Sequence, residues 1–379
     1  MNPTTSEEIT LNTRGYRLLD KLGQGSYAKV YLGEFKVKSQ GQEETERITH
    51  LACKVIDINK APSTFVEKFL PRELEILLKL NHPHVIHTHS LFRRKSKYYI
   101  FMRYAENGDL LAFIIKNGLI RENQARIWTR QLCLGLQYLH TLEIAHRDIK
   151  CENILVTGNF NVKLADFGFA RFLLDERMNP VLSKTFCGSL QYAAPEIIKG
   201  TPYNPKLSDV WALGVVVFTM LNKSMPFDDD NAKSLYNHQI KRKWRFRTKV
   251  VDKLSHEVKS LIKKMLEPTI EERIKLDEVI ASKWIQMDDR LKSLLPDEFG
   301  ALIKAKEHIQ MVKNGTLKLK NIRDHHPDIS NDVEKARKEE QTASNTTVDM
   351  KTKGYSFIES KITPTSTIKL MQDKTLILK

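Results

Sequence analysis

The stretch His146-Arg147-Asp148-Ile149-Lys150-Cys151-Glu152-Asn153 constrains this chain more than any other. It follows an apolar helical run, Ile127 to Leu139, and precedes a strand-like run, Ile154 to Thr157. The pattern sets it in a loop between helix and strand. Asp148 can accept a hydroxyl proton, Lys150 can neutralise phosphate charge, and Asn153 can offer an oxygen to Mg²⁺, so one short loop holds the parts of a phosphoryl-transfer site. His-Arg-Asp alone would read equally well as a polar surface loop. The lysine two residues after the acid and the asparagine five residues after it weigh against that.

The 379 residues allow one large two-lobed domain or two ordinary ones. No apolar run reaches the ~20 residues that span a bilayer. Met1 to Leu11 is polar and has no signal-peptide core. Cys53, Cys133, Cys151 and Cys187 are scattered without metal-ligand spacing, which predicts reduced thiols in a cytoplasmic protein with no membrane partner. The net charge of +15 raises the question of nucleic acid. The lysines are spread along the chain, however, and the densest cluster, Lys241 to Arg247, is broken by Trp244 and Phe246. No nucleic-acid partner is expected.

Residues 1–15 read as a flexible lead-in. Tyr16 to Val30 then reads as strand, glycine turn, strand, the turn being Gly23-Gln24-Gly25-Ser26-Tyr27-Ala28. Glycines let backbone N–H groups approach phosphates. A dinucleotide-binding turn would open a helix next, whereas Lys29-Val30-Tyr31-Leu32-Gly33 continues as a strand. Residues 35–48 read as an extended loop, followed by a strand around Lys54. Lys54 could reach nucleotide phosphates or could equally sit as an edge-strand lysine. Pro62 to Leu80 reads as helical, with Leu74, Leu77 and Leu78 at helical spacing. Glu73 and Glu75 lie about 200° apart around such a helix, so at most one faces Lys54. Glu73 is chosen, and Glu75 is left as a solvated residue. A buried-type strand, Tyr98 to Met102, leads into a polar hinge at residues 103–109.

Asp166-Phe167-Gly168 closes a further strand and supplies a second carboxylate for a metal, with Asn153 as the other ligand. Asp166 to Glu196 is one long polar segment ending in Ala194-Pro195-Glu196. A phosphate on Thr185 would carry about −2 charge and could pair with Arg147. Ser183 is a second candidate, and Ser189 is expected to bond Asp148 and Lys150.

Together these motifs resemble the eukaryotic protein kinase family, and their spelling resembles the testis-specific serine/threonine kinases of the calmodulin-dependent kinase group. The stretches that carry the likeness include Gly25 to Val30, Lys60-Ala61-Pro62, Glu67 to Glu73, Lys150 to Asn153, Leu182 to Ser189, Pro202 to Lys206 and Ser224 to Asp229. The resemblance implies an α+β, two-lobed kinase fold: a small β-rich N-lobe with one helix (16–102), a hinge (103–109) and a larger, mostly helical C-lobe (110–286). It implies transfer of the ATP γ-phosphoryl group to protein serine or threonine, in male germ cells. Carried over by residue, Lys54, Glu73, Asp148, Lys150 and Asn153 form the catalytic set. ATP is cradled by Leu22, Gly23, Gln24, Gly25, Ser26, Val30, Ala52, Lys54, Met102, Arg103, Ala105, Leu155 and Asp166. Mg²⁺ is held by Asn153 and Asp166. Asp109 and Glu152 resemble the acidic pair that recognises arginine three residues before the phosphoacceptor. Thr185 would be phosphorylated by an activating kinase or by the protein itself. Ala28 stands where a third glycine is usual, and Arg103 where kinases commonly have glutamate.

Asp209 is expected to brace the catalytic loop, and Arg273 to pair with Glu196. Residues 287–379 read as a largely disordered extension, with one or two short helices between Leu291 and Met311. Two other functions are compatible with such a chain, a nucleotide-holding scaffold without turnover and a small-molecule kinase. Intact Lys54, Asp148, Asn153 and Asp166 count against the first. The Thr185 segment and its Ala194-Pro195-Glu196 anchor count against the second.

Overall fold

Alternating apolar residues from Tyr16 to Arg103 assemble into one antiparallel sheet, and the apolar runs after it into helices. The computed structural model describes residues 6–25, 27–38, 46–175, 178–183 and 188–316. Helix α1 (Ser6–Thr13) precedes strands β1 (Tyr16–Gln24), β2 (Ala28–Lys38), β3 (Glu46–Asp57), β4 (Thr88–Arg94) and β5 (Lys97–Arg103), which form a sheet in the order β1-β2-β3-β5-β4. A π-helical turn, Phe65–Phe69, runs into α2 (Leu70–Leu77) between β3 and β4.

Past the hinge lie α3 (Leu110–Asn117), α4 (Glu122–Thr141) and the short strands β6 (Ile144–Ala145), β7 (Ile154–Val156), β8 (Val162–Leu164) and β9 (Arg171–Phe172). Helices α5 (Pro195–Lys199), α6 (Pro205–Asn222), α7 (Ala232–Ile240), α8 (Thr248–Val251), α9 (His256–Met265), α10 (Leu276–Ile280), α11 (Lys283–Gln286) and α12 (Pro296–Lys313) complete the described chain. Helix α6 is apolar on nearly every side and is buried accordingly, and α4 is buried over most of its length although it carries Arg126, Arg130 and Gln131. Gly214 on α6 lets α9 approach: a Cβ there would stand 2.9 Å from the Met265 side chain.

Three expectations are corrected. Within the 1–15 lead-in, expected to be flexible, residues 1–5 lie outside the described chain and Ser6–Thr13 is a helix docked on the sheet. Its Leu11 is buried, Glu7 takes Lys97 at 2.8 Å, and the Tyr99 hydroxyl donates to Glu7 at 3.2 Å. Burying a leucine stabilises by about 1.5–3 kcal/mol, enough to order so short an element beside an ion pair. Half of the 35–48 stretch, residues 35–38 and 46–48, is ladder rather than loop, because β2 and β3 pair from Ala28↔Ile56 out to Lys38↔Glu46. Only residues 39–45 of it lie outside the described chain.

The third correction concerns the end of the domain. The packed chain does not stop at 286, because α12 is a single 18-residue helix fastened to α4. Pro296 pre-sets its first turn, and Glu298 is buried there. Arg130 of α4 holds both Glu298 oxygens at 2.9 and 3.0 Å and also donates to the carbonyls of Leu291 and Ser293. His84 lies 2.8 Å from Glu298 on the other side. Residues 317–379, expected to be disordered, lie outside the described chain.

Burial by itself would raise the Glu298 carboxyl, but the His84 and Arg130 hydrogen bonds outweigh it and hold it at about 2. Its stabilisation is therefore complete above the ordinary carboxylate range and is lost as pH falls toward 2. Replacing Glu298 with alanine leaves Arg130 buried without its counter-charge. The expected loss is about 3–5 kcal/mol in urea denaturation of the full chain. In Glu298→Gln, the fall in stability between pH 5 and pH 2 should be shallower than in wild type.

Candidate functional site

The site lies where the sheet meets the helical region, and buried charge sets its form. Lys54 on β3 points at Glu73 on α2, Nζ to Oε1 2.6 Å, and at Asp166, Nζ to Oδ1 3.1 Å. Glu73 is 2% exposed, so its carboxylate needs the cation. Burial alone would lower the Lys54 ammonium. Asp166 and Glu73 outweigh it and keep the group charged well above the usual lysine range. Lys54 in turn holds the Asp166 carboxyl at about 2. Glu75, expected to be solvated, instead takes Lys79 at 2.8 Å one turn along.

The catalytic-loop residues converge on Asp148. Asn153 donates its amide to the Asp148 main-chain oxygen at 2.9 Å and to Oδ2 at 2.8 Å. Lys150 Nζ lies 3.0 Å from the same Oδ2 and donates to Ser189 Oγ at 3.1 Å. The expected Ser189–Lys150 bond is thus present, while the described contacts include none from Ser189 to the Asp148 carboxylate. Behind the loop, Asp209 of α6 accepts the His146 and Arg147 N–H groups at 3.0 and 2.8 Å. His140 reaches Asp209 at 3.0 Å. Arg147 and Asp166 both adopt left-handed backbone, φ 63° and 60°, a strain that surrounding structure must hold.

Two oxygens in this cluster are left over. Asn153 donates through its nitrogen, so its Oδ1 has no hydrogen-bond partner among the described residues. Asp166 uses Oδ1 for Lys54 and the Gly168 N–H, leaving Oδ2. An amide oxygen and a carboxylate oxygen are the donor types that fit a hard divalent cation.

The residues expected on the nucleotide side are not core residues. Val30, Ala52, Met102 and Leu155 are all half-buried despite being apolar, and Leu22 is exposed. Val30 pairs with Lys54, and Ala52 with Met102, which puts them side by side across three strands. The Ala105 N–H has no partner among the described residues, whereas the Arg103 N–H donates to the His87 carbonyl at 2.9 Å. Gly23 has no protein atom within 4 Å of where a Cβ would stand, so packing does not demand glycine there. Gly25 donates its N–H to Ala28 at 2.8 Å, closing the turn on which Gln24 sits. Ser26 lies outside the described residues.

The segment after Asp166 is anchored at both ends. Arg147 donates to the Phe169 carbonyl at 2.8 Å and to Ser183 Oγ at 3.0 Å. Ser183 is buried and its backbone pairs with Tyr203. Thr185 lies outside the described residues. Further on, Arg273 grips Glu196 at 2.7 and 2.9 Å, with both side chains buried and the guanidinium over the Trp211 ring. Glu152 of the loop is raised from its usual range by burial, with Asp109 and Asp148 adding to the rise.

A family profile described as "Protein kinase domain" matches residues 16–285. Testis-specific serine/threonine-protein kinase 1 of mouse is 45% identical over 283 residues, covering 74% of this chain and 74% of that protein. The human protein of the same name gives the same figures. Mouse testis-specific serine/threonine-protein kinase 3 is 39% identical over 280 residues, covering 73% of this chain and 98% of that protein.

Because Asp209 is the acceptor for two consecutive loop amides, Asp209→Ala should free both. Hydrogen-exchange mass spectrometry is expected to show faster exchange at residues 146 and 147, with the interior of α4 unchanged. Unaltered protection at those two amides would contradict the bracing.

Proposed function

The chain belongs to the testis-specific serine/threonine kinases of the protein kinase family and is a phosphotransferase, and on that premise we propose that Lys54, Glu73, Asp148, Lys150, Asn153 and Asp166 carry its chemistry. The kinase domain implies ATP and a divalent metal. The carrying observation is the Lys54 ammonium held between Glu73 and Asp166. It is fixed in place and charged, as a group that orients α/β-phosphates has to be.

Asp148 accepts the proton of the substrate hydroxyl as that oxygen attacks the γ-phosphorus. The Asn153 amide aims its carboxylate, and Lys150 offsets charge on the transferring group. The leaving ADP oxygen departs opposite the incoming hydroxyl. Asn153 Oδ1 and Asp166 would hold Mg²⁺, which would supply neutralising charge at the phosphates. Gly23, Gln24, Gly25 and Ser26 cover the phosphates, and Leu22, Val30, Ala52, Met102 and Leu155 sandwich the adenine. The edge of the base bonds the hinge backbone at Arg103 and Ala105, where the Ala105 N–H is unpartnered.

Two finer readings have support. Glu152 is raised partly by Asp109, and an arginine of the substrate would relieve that repulsion, so we assign a preference for arginine three residues before the acceptor. Arg72 is lowered by burial and by Arg147 and Arg171 nearby. Three guanidiniums close enough to repel suit a phosphate, and we assign it to Thr185. A role in spermatogenesis follows from the names of the relatives alone.

The test is transfer of labelled γ-phosphate from Mg·ATP to serine peptides with and without that arginine. Asp148→Ala is expected to lower kcat by about 10²–10⁴-fold, the typical worth of a positioned acid or base. Thr185→Ala should reduce activity without abolishing ATP binding. An inactive wild type that carries phosphate on Thr185 would favour the scaffold reading. Equal rates on both peptides would remove the arginine preference.

A further inference from the structure

Behind the hinge, away from the Asp148 loop, lies a cavity of about 520 Å³. That volume is the scale of a small-molecule site rather than of a packing defect. Its walls come from both lobes and from α12. The end of the α2 region supplies Lys79 and His82, the hinge Arg103, β8 Lys163, and α12 Asp297 and Lys304. Its apolar lining comes from Leu142, Ile144, Phe172, Ile309 and Val312.

The charge balance is one-sided. Four cationic side chains, Lys79, Arg103, Lys163 and Lys304, face the cavity against one carboxylate, Asp297. Lys79 is already matched by Glu75 and lies over the Phe172 ring at 4.4 Å. Arg103 meets Glu106 only at 3.8 Å, half-exposed. Lys163 has no carboxylate partner among the described residues and donates to the Pro83 carbonyl. Burial, with Arg103 beside it, lowers its ammonium to about 8. Burial, with His84 beside it, likewise keeps His82 neutral, at about 3. Like charges gathered on a concave surface are destabilised until an anion joins them. The nucleotide reading gives Arg103 only a backbone role and leaves its side chain unexplained.

We propose that this cavity is a second ligand site, taking a small phosphorylated molecule whose phosphate sits between Arg103 and Lys163 and whose apolar body packs toward Phe172. A doubly charged phosphate matches two cationic donors better than a carboxylate does. The ligand would touch both lobes and α12 at once.

The probe is phenyl phosphate, titrated into the full-length chain by calorimetry with the nucleotide cleft filled by excess non-hydrolysable ATP analogue and Mg²⁺. Saturable binding with Kd on the order of 1 mM or tighter is expected for a ligand of this size. Arg103→Gln and Lys163→Gln should each weaken it by about tenfold or more, the worth of one charge-assisted hydrogen bond. Arg103 is exposed, so its variant should fold even where the Lys163 variant does not. Lys199→Gln, on α5, should bind as wild type does. No saturable binding up to about 10 mM, or unchanged affinity in Arg103→Gln, would overturn the site. Equal affinity for benzoate would overturn the phosphate assignment.

Discussion

A buried lysine cannot stay charged without company, and much of this structure follows from meeting that condition at Lys54. Its two carboxylates come from elements that share no local sequence: Glu73 from α2 and Asp166 from the turn after β8. Strand β3 must therefore be in register with β5, α2 must be rotated to present Glu73 rather than Glu75, and the Asp166 turn must take its left-handed backbone. A slip of β3 or α2 would leave the Glu73 carboxylate buried without its cation, which costs several kcal/mol. The ion cluster thus works as a check on the assembly of three elements.

The helical region uses the same device three more times. Asp209 fixes the catalytic loop through its backbone N–H groups, Arg273 fixes the end of the activation segment through Glu196, and Arg130 fixes α12 through Glu298. In each case a charged side chain reaches across a long sequence separation, Asp209 to loop N–H groups, Arg273 and Arg130 to a carboxylate and to main-chain carbonyls. Apolar packing is non-directional and tolerates small shifts. A bidentate guanidinium–carboxylate pair does not, so these contacts position loops that the hydrophobic core cannot hold to within an ångström.

The sequence made the site legible where chemistry is concentrated in short motifs. Lys54, Glu73, Asp148, Lys150 and Asn153 stand out by spacing or resemblance, and the structure joins them into two groups, Lys54 with Glu73 and Asp148 with Lys150 and Asn153. Glu73 was separable from Glu75 because helical periodicity puts the two on different faces. What stayed hidden depended on distant partners. Nothing near Glu298 announces Arg130, 168 positions earlier, so the fastening of α12 could not be read even though Pro296 and two acids mark its start. Helix α1 carried a similar local signal, Ser6-Glu7-Glu8, but its order depends on Leu11 finding the sheet and Glu7 finding Lys97. Arg103 was visible as a departure, and its meaning required the cavity around it.

The activation segment shows how positive charge near the site can be both a cost and a means of control. Arg72 is held down by burial and by Arg147 and Arg171, so the three guanidiniums are close enough to repel. Arg147 is also in left-handed backbone and uses two donors on Phe169 and Ser183, while its Nη2 has no partner among the described residues. Ser183 is a poor phosphate acceptor in this arrangement, because its hydroxyl is buried against Arg147 and its backbone is paired with Tyr203. Moving it out would break those bonds before any were gained. The proposed acceptor, Thr185, is a different residue and does not require those Ser183 bonds to break. On the proposed assignment, one dianion would relieve the repulsion among the three guanidiniums, and the shift it produced would be set by its differential interaction with the ordered state.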